Sequence, residues 1–490
     1  MEEYFGPIAL VRLLVQRGLA AIYLVAFVSA LNQFPALLGE RGLLPVGRYV
    51  ARTQFRDGPS LFRFRYSDSL FVLVAWTGIA LSLVALAGLS EQSSVWLSAG
   101  VWLVLWMLYQ SIVNVGQTFY SFGWESMLLE AGFFAIFLGP SRVEPPLVPI
   151  LCLRFMLLRV ELGAGLIKIR HDECWRKLTC LYWHHETQPL PNRLSPYFHR
   201  LPKQLLRFGV LFSHFVQLVV PFGLLLPQPF ASVAGLFIVV HQLWLIVSGN
   251  YSWLNWLTVV LGVTAFGDEA LARVVPVGLP PVLPRSTAHD VVLDALGGAT
   301  LLLGIAPVKN LFSKHQRMNY SYNPLHIVNT YGAFGSVTKV RHEVVLEGTL
   351  DETPGAASAW QEYEFRAKPG AVERAPPQVA PYHLRLDWLM WFLPFGVRTH
   401  GERVLVPGYD RWFLRLVEKL LRADERTLKL LRSAPFPTAP RFVRARYYRY
   451  EFADRATRRE TGAIWTRRLI GDYLPPTDLS DFRLETLDAP

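Results

Sequence analysis

Three ionisable residues recur every seven positions in one apolar segment, and they are the strongest candidates for chemistry in this chain. Arg154, Glu161 and Lys168 would fall on one stripe of a helix that runs from Pro146 to Ile169. Ionisable groups in a helix of membrane length are costly and often mark a functional surface. Glu161 would reach either cation only through neighbouring helices or water, because seven residues rise about 10 Å. A tilted helix whose charges face the interior of a bundle explains the same pattern structurally.

Two histidines also lie within apolar segments, at His214 and His241. A cavity lined by such groups would suit proton transfer or the binding of a ligand headgroup. Hydrogen bonds between membrane helices explain these residues equally well. We therefore predict no catalytic residue and no cofactor. The intramembrane polar candidates are Arg154, Glu161, Lys168, His214 and His241.

The loop at 170–205 is dense in aromatic residues, histidines and cysteines. Cys174 and Cys180 would close a small loop in an oxidising compartment, or would remain free thiols; their spacing fits neither a CxxC redox motif nor a zinc pattern. Adjacent histidines point to different faces and no HExxH motif follows, so we predict no metal site. Loops of this composition are typical of recognition elements. The interaction candidates here are Arg170, Trp175, Tyr182, Trp183, His184, His185, Glu186 and Gln188.

The composition indicates a membrane protein. The chain has 490 residues, of which 52% are hydrophobic and 18% charged, with a formal net charge of +11. Soluble domains carry about 25% charged residues. No zinc-finger spacing or RNA-binding motif is present, so we predict a lipid bilayer and no nucleic acid as the partner of the basic surface. No feature predicts an oligomeric state.

Nine apolar segments predict a polytopic α-helical membrane bundle of about 8–9 spans in residues 1–308. A span needs about 20 mostly apolar residues. The fourth segment is short and the ninth carries two aspartates, so these two are the weakest. The segments are Gly18–Phe34, Ser69–Leu89, Ser94–Val115, Ser126–Leu138, Pro146–Ile169, Leu205–Leu226, Phe230–Val247, Trp253–Phe266 and Ala288–Ala306.

Residues 309–490 have the pattern of an α+β extramembrane C-terminal domain. Alternation of apolar and polar residues predicts strands at Val337–Leu346, Trp360–Phe365 and Arg441–Phe452, and helical spacing predicts a helix over Arg411–Leu431. Two aromatic runs would dock onto the bilayer or hold an apolar client, or would form the core of the domain. Their interaction candidates are Tyr331, Phe334, Trp388 and Trp391.

Six ordered motifs spread over nearly the whole chain resemble the lipase maturation factor family. They are GAGLIKIR (163–170), CWRKLTC (174–180), HHETQPLPN (184–192), SGNYSWLNWLT (248–258), NTYGAFGSVTK (329–339) and YHLRLDWLMWF (382–392). The resemblance implies a multi-pass protein of the endoplasmic reticulum membrane that is not an enzyme. It implies a chaperone-like role in the folding and dimer assembly of secreted lipases, with the 170–205 loop and the C-terminal domain facing the lumen and the client.

Two alternatives remain at this level. A more distant likeness to the membrane module of vitamin K-dependent carboxylases suggests an enzyme that uses Lys168 or an intramembrane histidine as a base. The positive-inside rule places the basic loops and the basic tail on the cytoplasmic side, opposite to the side that the family and a disulfide imply. In a bacterial cell, the corresponding location would be the plasma membrane.

Overall fold

The front part of the chain is a bundle of α-helices. The computed structural model describes residues 2–355, 357–400 and 403–482. Capping side chains begin several helices: Ser67 accepts a hydrogen bond from the amide of Leu70, and Ser94 accepts one from Leu97. The helices are α1 Glu2–Phe5, α2 Ala9–Leu37, α3 Val46–Val50, α4 Asp68–Ala87, α5 Val95–Val113, α6 Gly123–Ala135, α7 Leu147–His171, α8 Glu173–Arg176, α9 Leu181–Thr187, α10 Ser195–His199, α11 Lys203–Leu218, α12 Val220–Gly223, α13 Phe230–Ser248, α14 Leu254–Val263, α15 Asp268–Ala272 and α16 Thr287–Phe312.

Within the described ranges, six helices are long and apolar enough to cross a membrane. They are α2, α4, α5, the continuous stretch Lys203–Gly223 formed by α11 and α12, α13 and α16. All nine predicted segments are helical, so the polytopic helical fold is confirmed. The first span is longer than predicted and begins at Ala9. Two cations lie in its first turns: Arg12 is buried and donates to the carbonyl oxygens of Ser141 and Val143, and Arg17 pairs with Glu91.

The other three predicted segments are helices of a different kind. α6 has 13 residues and α14 has 10. At 1.5 Å per residue they rise about 20 and about 15 Å, less than the roughly 30 Å of hydrocarbon. α6 is apolar because it is buried on nearly every side within the bundle. α7 has 25 residues and is long enough to cross a membrane, but it contains too many charged residues to count among the six apolar helices.

The C-terminal part is an α+β domain, as predicted. Its four-stranded antiparallel sheet has the strand order β2-β1-β5-β6, and a separate hairpin pairs β3 with β4. The elements are β1 Arg341–Thr349, β2 Gln361–Glu362, α17 Arg385–Met390, β3 Arg398–His400, β4 Arg403–Leu405, α18 Arg411–Leu421, α19 Glu425–Leu428, β5 Phe442–Phe452, α20 Arg455–Thr461 and β6 Trp465–Thr477.

The predicted strands differ from the observed ones at their ends. β1 begins four residues later than expected, and the strand predicted over Trp360–Phe365 pairs only at Gln361–Glu362. The helix predicted over Arg411–Leu431 divides into α18 and α19. α16 continues to Phe312, beyond the predicted domain boundary at 308. Residues 483–490, included in the predicted C-terminal domain, lie outside the described residues.

Buried ion pairs join the two parts. The Arg385 guanidinium of α17 lies 2.7 Å from the Glu125 carboxylate of α6 and also donates to the carbonyl oxygen of Phe119. Both side chains are fully buried. The C-terminal domain is therefore packed directly onto the helix bundle.

Candidate functional site

α7 brings Glu161 and Lys168 to one large cavity inside the bundle. The cavity has a volume of about 780 Å³ and is bounded by α7, α11, α13, α14 and the segment around Phe334. The seven-residue spacing places both side chains on the same side of α7, as predicted. Each has partners on neighbouring helices: Gln242 Nε2 donates to Glu161 at 2.7 Å, and Lys168 Nζ donates to Gln217 Oε1 at 2.8 Å.

Further groups extend these contacts into a polar patch. Asn255 donates to Gln242 Oε1 at 2.6 Å, which fixes the orientation of the Gln242 amide. Lys168 Nζ also lies 3.3 Å from Ser213 Oγ and 4.7 Å from the centre of the Trp175 ring. The His241 ring is buried in the same wall. The patch combines one carboxylate, one ammonium group and several amides within an apolar cavity.

Two of the five intramembrane candidates lie elsewhere. Arg154 donates through Nε to the Thr264 carbonyl oxygen at 2.5 Å and is absent from the cavity lining. His214 Nε2 lies 3.0 Å from the Trp175 carbonyl oxygen and only supports the wall. The predicted stripe therefore divides into one polar site of two residues and a separate structural arginine, because the partner of Arg154 is the Thr264 carbonyl oxygen, outside the cavity lining.

The 170–205 loop is folded into α8, α9 and α10, which makes it a compact cap rather than an extended element. Cys174 and Cys180 form a disulfide, with their Cα atoms 4.8 Å apart. Asp172 accepts the amide of Cys174 at 2.9 Å and begins α8. Trp175 Nε1 donates to the Phe334 carbonyl oxygen at 2.9 Å, so the cap is tied to the start of the C-terminal part.

A potential metal cluster at the cap does not have suitable ligands. In the described ranges, one group of three side chains places its ligand atoms close enough together, namely Asp172, Cys174 and Cys180. The cysteines are joined in the disulfide, and the sulfur ligands that metals prefer are thiolates. Metal binding is therefore not an explanation for this cluster.

His184 and His185 of the cap are interior residues and do not form the recognition surface that the composition of the loop predicts. His184 Nε2 lies 2.9 Å from the Tyr251 hydroxyl, which donates in turn to Gln188 Oε1. Burial, followed by the nearby charge of Lys168, lowers the pKa of His184 to about 4. His185 and Glu186 are also buried, and Glu186 accepts the amide of Phe452 at 2.8 Å. These side chains organise the cap and its contact with the sheet.

Arg341 of β1 holds the cap from the other side. Its guanidinium donates to the carbonyl oxygens of Glu186, Gln188 and Pro189 at 2.9, 2.5 and 3.1 Å. The cap therefore ends in contact with the C-terminal domain. Arg170, in contrast, donates to Gln316 Oε1 at 2.6 Å and is only half-buried.

Two of the four predicted interaction candidates of the C-terminal part, Tyr331 and Trp388, are buried in the core, whereas Phe334 and Trp391 are half-buried. Tyr331 donates to Glu130 Oε2 at 2.7 Å, where Glu130 also pairs with Arg159. Trp388 packs with its ring centre 4.9 Å from that of Trp124. Neither ring is available as exposed surface, because each fills space between α6 and the C-terminal domain.

An aromatic shelf of Trp391, Phe392 and Phe395 is accessible at the surface. Their ring centres lie 4.6 to 5.8 Å apart, and Phe392 and Phe395 are 40% and 51% exposed. Trp391 Nε1 donates to the Thr187 carbonyl oxygen at 3.0 Å, which fixes the shelf to the cap. A groove of about 320 Å³ runs beside it and ends at Phe334 and His184, which line the bundle cavity as well.

Sequence reasoning missed three contributors to these sites. Tyr251 and Asn255 lie in the motif SGNYSWLNWLT, but their polar atoms act through contacts that only folding creates. Phe395 follows the aromatic run that ended at Phe392 in the prediction. Gly163 brings the motif at 163–170 into contact with the motif at 329–339. A Cβ at residue 163 would collide with the carbonyl oxygen of Tyr331, so this close approach requires glycine.

Comparisons with known proteins agree with this architecture. The lipase maturation factor transmembrane domain matches at residues 10–273, and the lipase maturation factor C-terminal domain matches at residues 327–475. Lipase maturation factor 1 of Mus musculus is 42% identical over 98% of this chain and 89% of the relative. The Homo sapiens protein of that name is 41% identical over 98% of this chain and 89% of the relative.

A second group of relatives is more distant. Lipase maturation factor 2 of Mus musculus is 27% identical over 96% of this chain and 83% of the relative. No solved structure matches the chain. The two family domains cover both the bundle and the sheet domain, and the similarity to the first group extends over nearly the full length. The chain belongs to the lipase maturation factor family.

Proposed function

We propose that this integral membrane protein assists the folding and assembly of secreted lipases, from the membrane of the endoplasmic reticulum and without catalysing a reaction itself. Family membership supports the lipase as client, because the relatives are named for lipase maturation. The disulfide supports an oxidising compartment for the cap. The cap and the C-terminal domain would then face the lumen, where a secreted client folds.

The aromatic shelf is the observation that carries the proposed mechanism. Phe392 and Phe395 present adjacent exposed rings on a rigid support, since Trp391 is hydrogen-bonded to the cap. Burying apolar area is worth about 25 cal/mol per Å², so a modest patch gives reversible affinity for apolar surface on a client. The shelf would cover such a surface until the lipase subunit meets its partner subunit.

Replacing both shelf phenylalanines tests this mechanism. We expect the double variant Phe392→Ser/Phe395→Ser to lose about tenfold in client affinity, because truncation of a central aromatic contact costs more than 1 kcal/mol. The measurement is the activity of a secreted lipase per unit of its protein mass, in cells whose own maturation factors are deleted and replaced by this chain.

Phe64→Ser provides the matched control. Phe64 is 79% exposed and lies on the loop before α4, which belongs to neither the cap nor the shelf. It should support lipase activity at the wild-type level. Equal lipase activity with the shelf variant and the control would reject the shelf as the client surface. Failure of the unaltered chain to restore any activity would reject the lipase as client.

The comparisons give no support to the carboxylase-like enzyme. The Glu161–Lys168 patch is equally compatible with binding, and in the cavity Lys168 is hydrogen-bonded and His241 is buried in the wall, as structural residues would be. We therefore do not propose a catalytic function.

A further inference from the structure

The bundle cavity opens sideways between two membrane helices. Phe208 of α11 and Trp244 of α13 line it, yet they are 63% and 43% exposed on the outer surface of the bundle. Val240 of α13 also lines the cavity while 47% of its surface is exposed. α11 and α13 are parts of helices long and apolar enough to cross a membrane, so an opening between them would meet the bilayer. Molecules can therefore enter from the bilayer.

The inner end of the cavity holds polar atoms without partners. Glu161 Oε2, Asn255 Oδ1 and His241 Nδ1 make no hydrogen bond within the described structure. The three residues are 1%, 3% and 3% exposed, and all line the cavity. Buried acceptors without a donor cost free energy, so native proteins rarely leave them unsatisfied. Glu161 Oε2 and Asn255 Oδ1 are acceptors, so these two atoms at one cavity indicate a ligand that donates hydrogen bonds.

The charged side chains in the cavity limit which head group the ligand can have. Lys168 offers a positive charge, but its ammonium group is already held by Gln217, Ser213 and the Trp175 ring. Glu161 supplies the opposite charge in the same cavity. An anionic head would meet the Glu161 carboxylate, and a cationic head would meet Lys168. Because Lys168 is already held, the open atoms are the acceptors of Glu161 and Asn255, and hydroxyl groups can donate to both without bringing a further charge into the cavity.

We propose that the cavity binds a neutral acyl lipid with free hydroxyl groups, of the monoacylglycerol class. The hydroxyl groups donate to Glu161 Oε2 and Asn255 Oδ1, and the acyl chain lies along Phe208 and Trp244 toward the opening. The volume of about 780 Å³ is within the 300–1,000 Å³ range of sites for single small ligands. The proposed head contacts, Glu161 and Asn255, are not shelf residues, although Phe334 and His184 line both this cavity and the groove beside the shelf. The test of this site needs no lipase client.

The direct test is equilibrium binding of radiolabelled monooleoylglycerol to the purified full-length protein in detergent. Saturable binding at one site per chain is expected, and unlabelled monooleoylglycerol should displace the label. Oleate and dioleoyl phosphatidic acid should compete at least tenfold more weakly, because their heads are anionic. Equal or stronger competition by either anion would overturn the assignment of a neutral ligand, and absence of saturable binding would overturn the site.

Glu161→Gln tests the head contact with little change of shape. Asn255 fixes the Gln242 amide so that its Nε2 faces residue 161. In the variant, the oxygen of the side-chain amide at position 161 must accept the hydrogen bond from Gln242. The NH₂ group of that amide then faces the cavity in place of the carboxylate oxygen. Loss of the acceptor should weaken binding about tenfold or more. Unchanged affinity in this variant would contradict the proposed contact.

A pair of variants on α11 tests the location. Ser213→Trp would fill the cavity, since Ser213 is buried in its wall. Leu211→Trp is the control, because Leu211 is 53% exposed and absent from the lining. We expect loss of binding in the first and wild-type binding in the second. Both are compared at equal amounts of monodisperse protein, and equal binding by the two would overturn the location.

Discussion

Several buried charged side chains in this protein have specific partners, and Arg385 is an example. It pairs with Glu125 at 2.7 Å, donates to the Phe119 carbonyl oxygen and lies over the Tyr120 ring. Glu125 also accepts a hydrogen bond from the Tyr109 hydroxyl. Removing one member of such a pair leaves an uncompensated charge in the interior, whereas removing both does not.

Arg385→Met should therefore destabilise the protein by about 3–5 kcal/mol. The measurement is the free energy of unfolding in detergent, or the thermal midpoint where unfolding is irreversible. The double variant Arg385→Met/Glu125→Gln should recover part of the loss. Arg468→Met, at an exposed strand position, should change stability by less than about 0.5 kcal/mol. Equal effects of the buried and exposed substitutions would contradict this account.

At the scale of elements, the cap formed by α8, α9 and α10 joins the bundle to the sheet domain. The disulfide fixes the start of the cap, and Arg341 fixes its end through three carbonyl oxygens. The cap carries the Thr187 carbonyl oxygen that supports Trp391. Its rigidity therefore determines the position of the aromatic shelf.

Cys174→Ala/Cys180→Ala should lower stability by about 2 kcal/mol, the loop-entropy value for a bridge between residues six positions apart. Thermal unfolding with and without a reducing agent checks this. Reduction should lower the midpoint of the wild type and leave that of the variant unchanged. A wild-type midpoint insensitive to full reduction, verified by thiol counting, would show that the bridge does not stabilise the cap.

At the scale of the whole molecule, the described ranges hold six helices long and apolar enough to cross a membrane, and the C-terminal domain is packed onto the bundle that contains them. α6 and α14 fill the interior rather than crossing the membrane alone, because they are too short. The bundle therefore creates enclosed space, including the cavity behind the cap. A protein of this kind should behave as an integral membrane protein under conditions that release peripheral ones.

Extraction of membranes with alkaline carbonate tests this expectation. The intact chain should remain in the pellet, because the cost of exposing several apolar spans to water far exceeds any effect of pH on its charges. A peripheral membrane protein in the same sample should appear in the supernatant. Recovery of this chain there, monodisperse without detergent, would contradict the membrane assignment.

The sequence determined the membrane class, the helical segments and the α+β tail, because these depend on local composition and periodicity. The seven-residue spacing also determined that Glu161 and Lys168 share a face of α7. Motifs along the whole chain identified the family, which the comparisons confirm. Each of these properties is encoded in residues that are close in sequence.

Only the tertiary structure decided which polar and aromatic groups are accessible. His184 and Trp388 are of the residue types expected at a recognition surface, yet both are buried, while Phe395 is exposed. The partners of Glu161 and Lys168 come from α13 and α11, far along the chain. Burial and hydrogen bonding depend on which helices pack together, and that arrangement follows from contacts between distant segments rather than from local pattern.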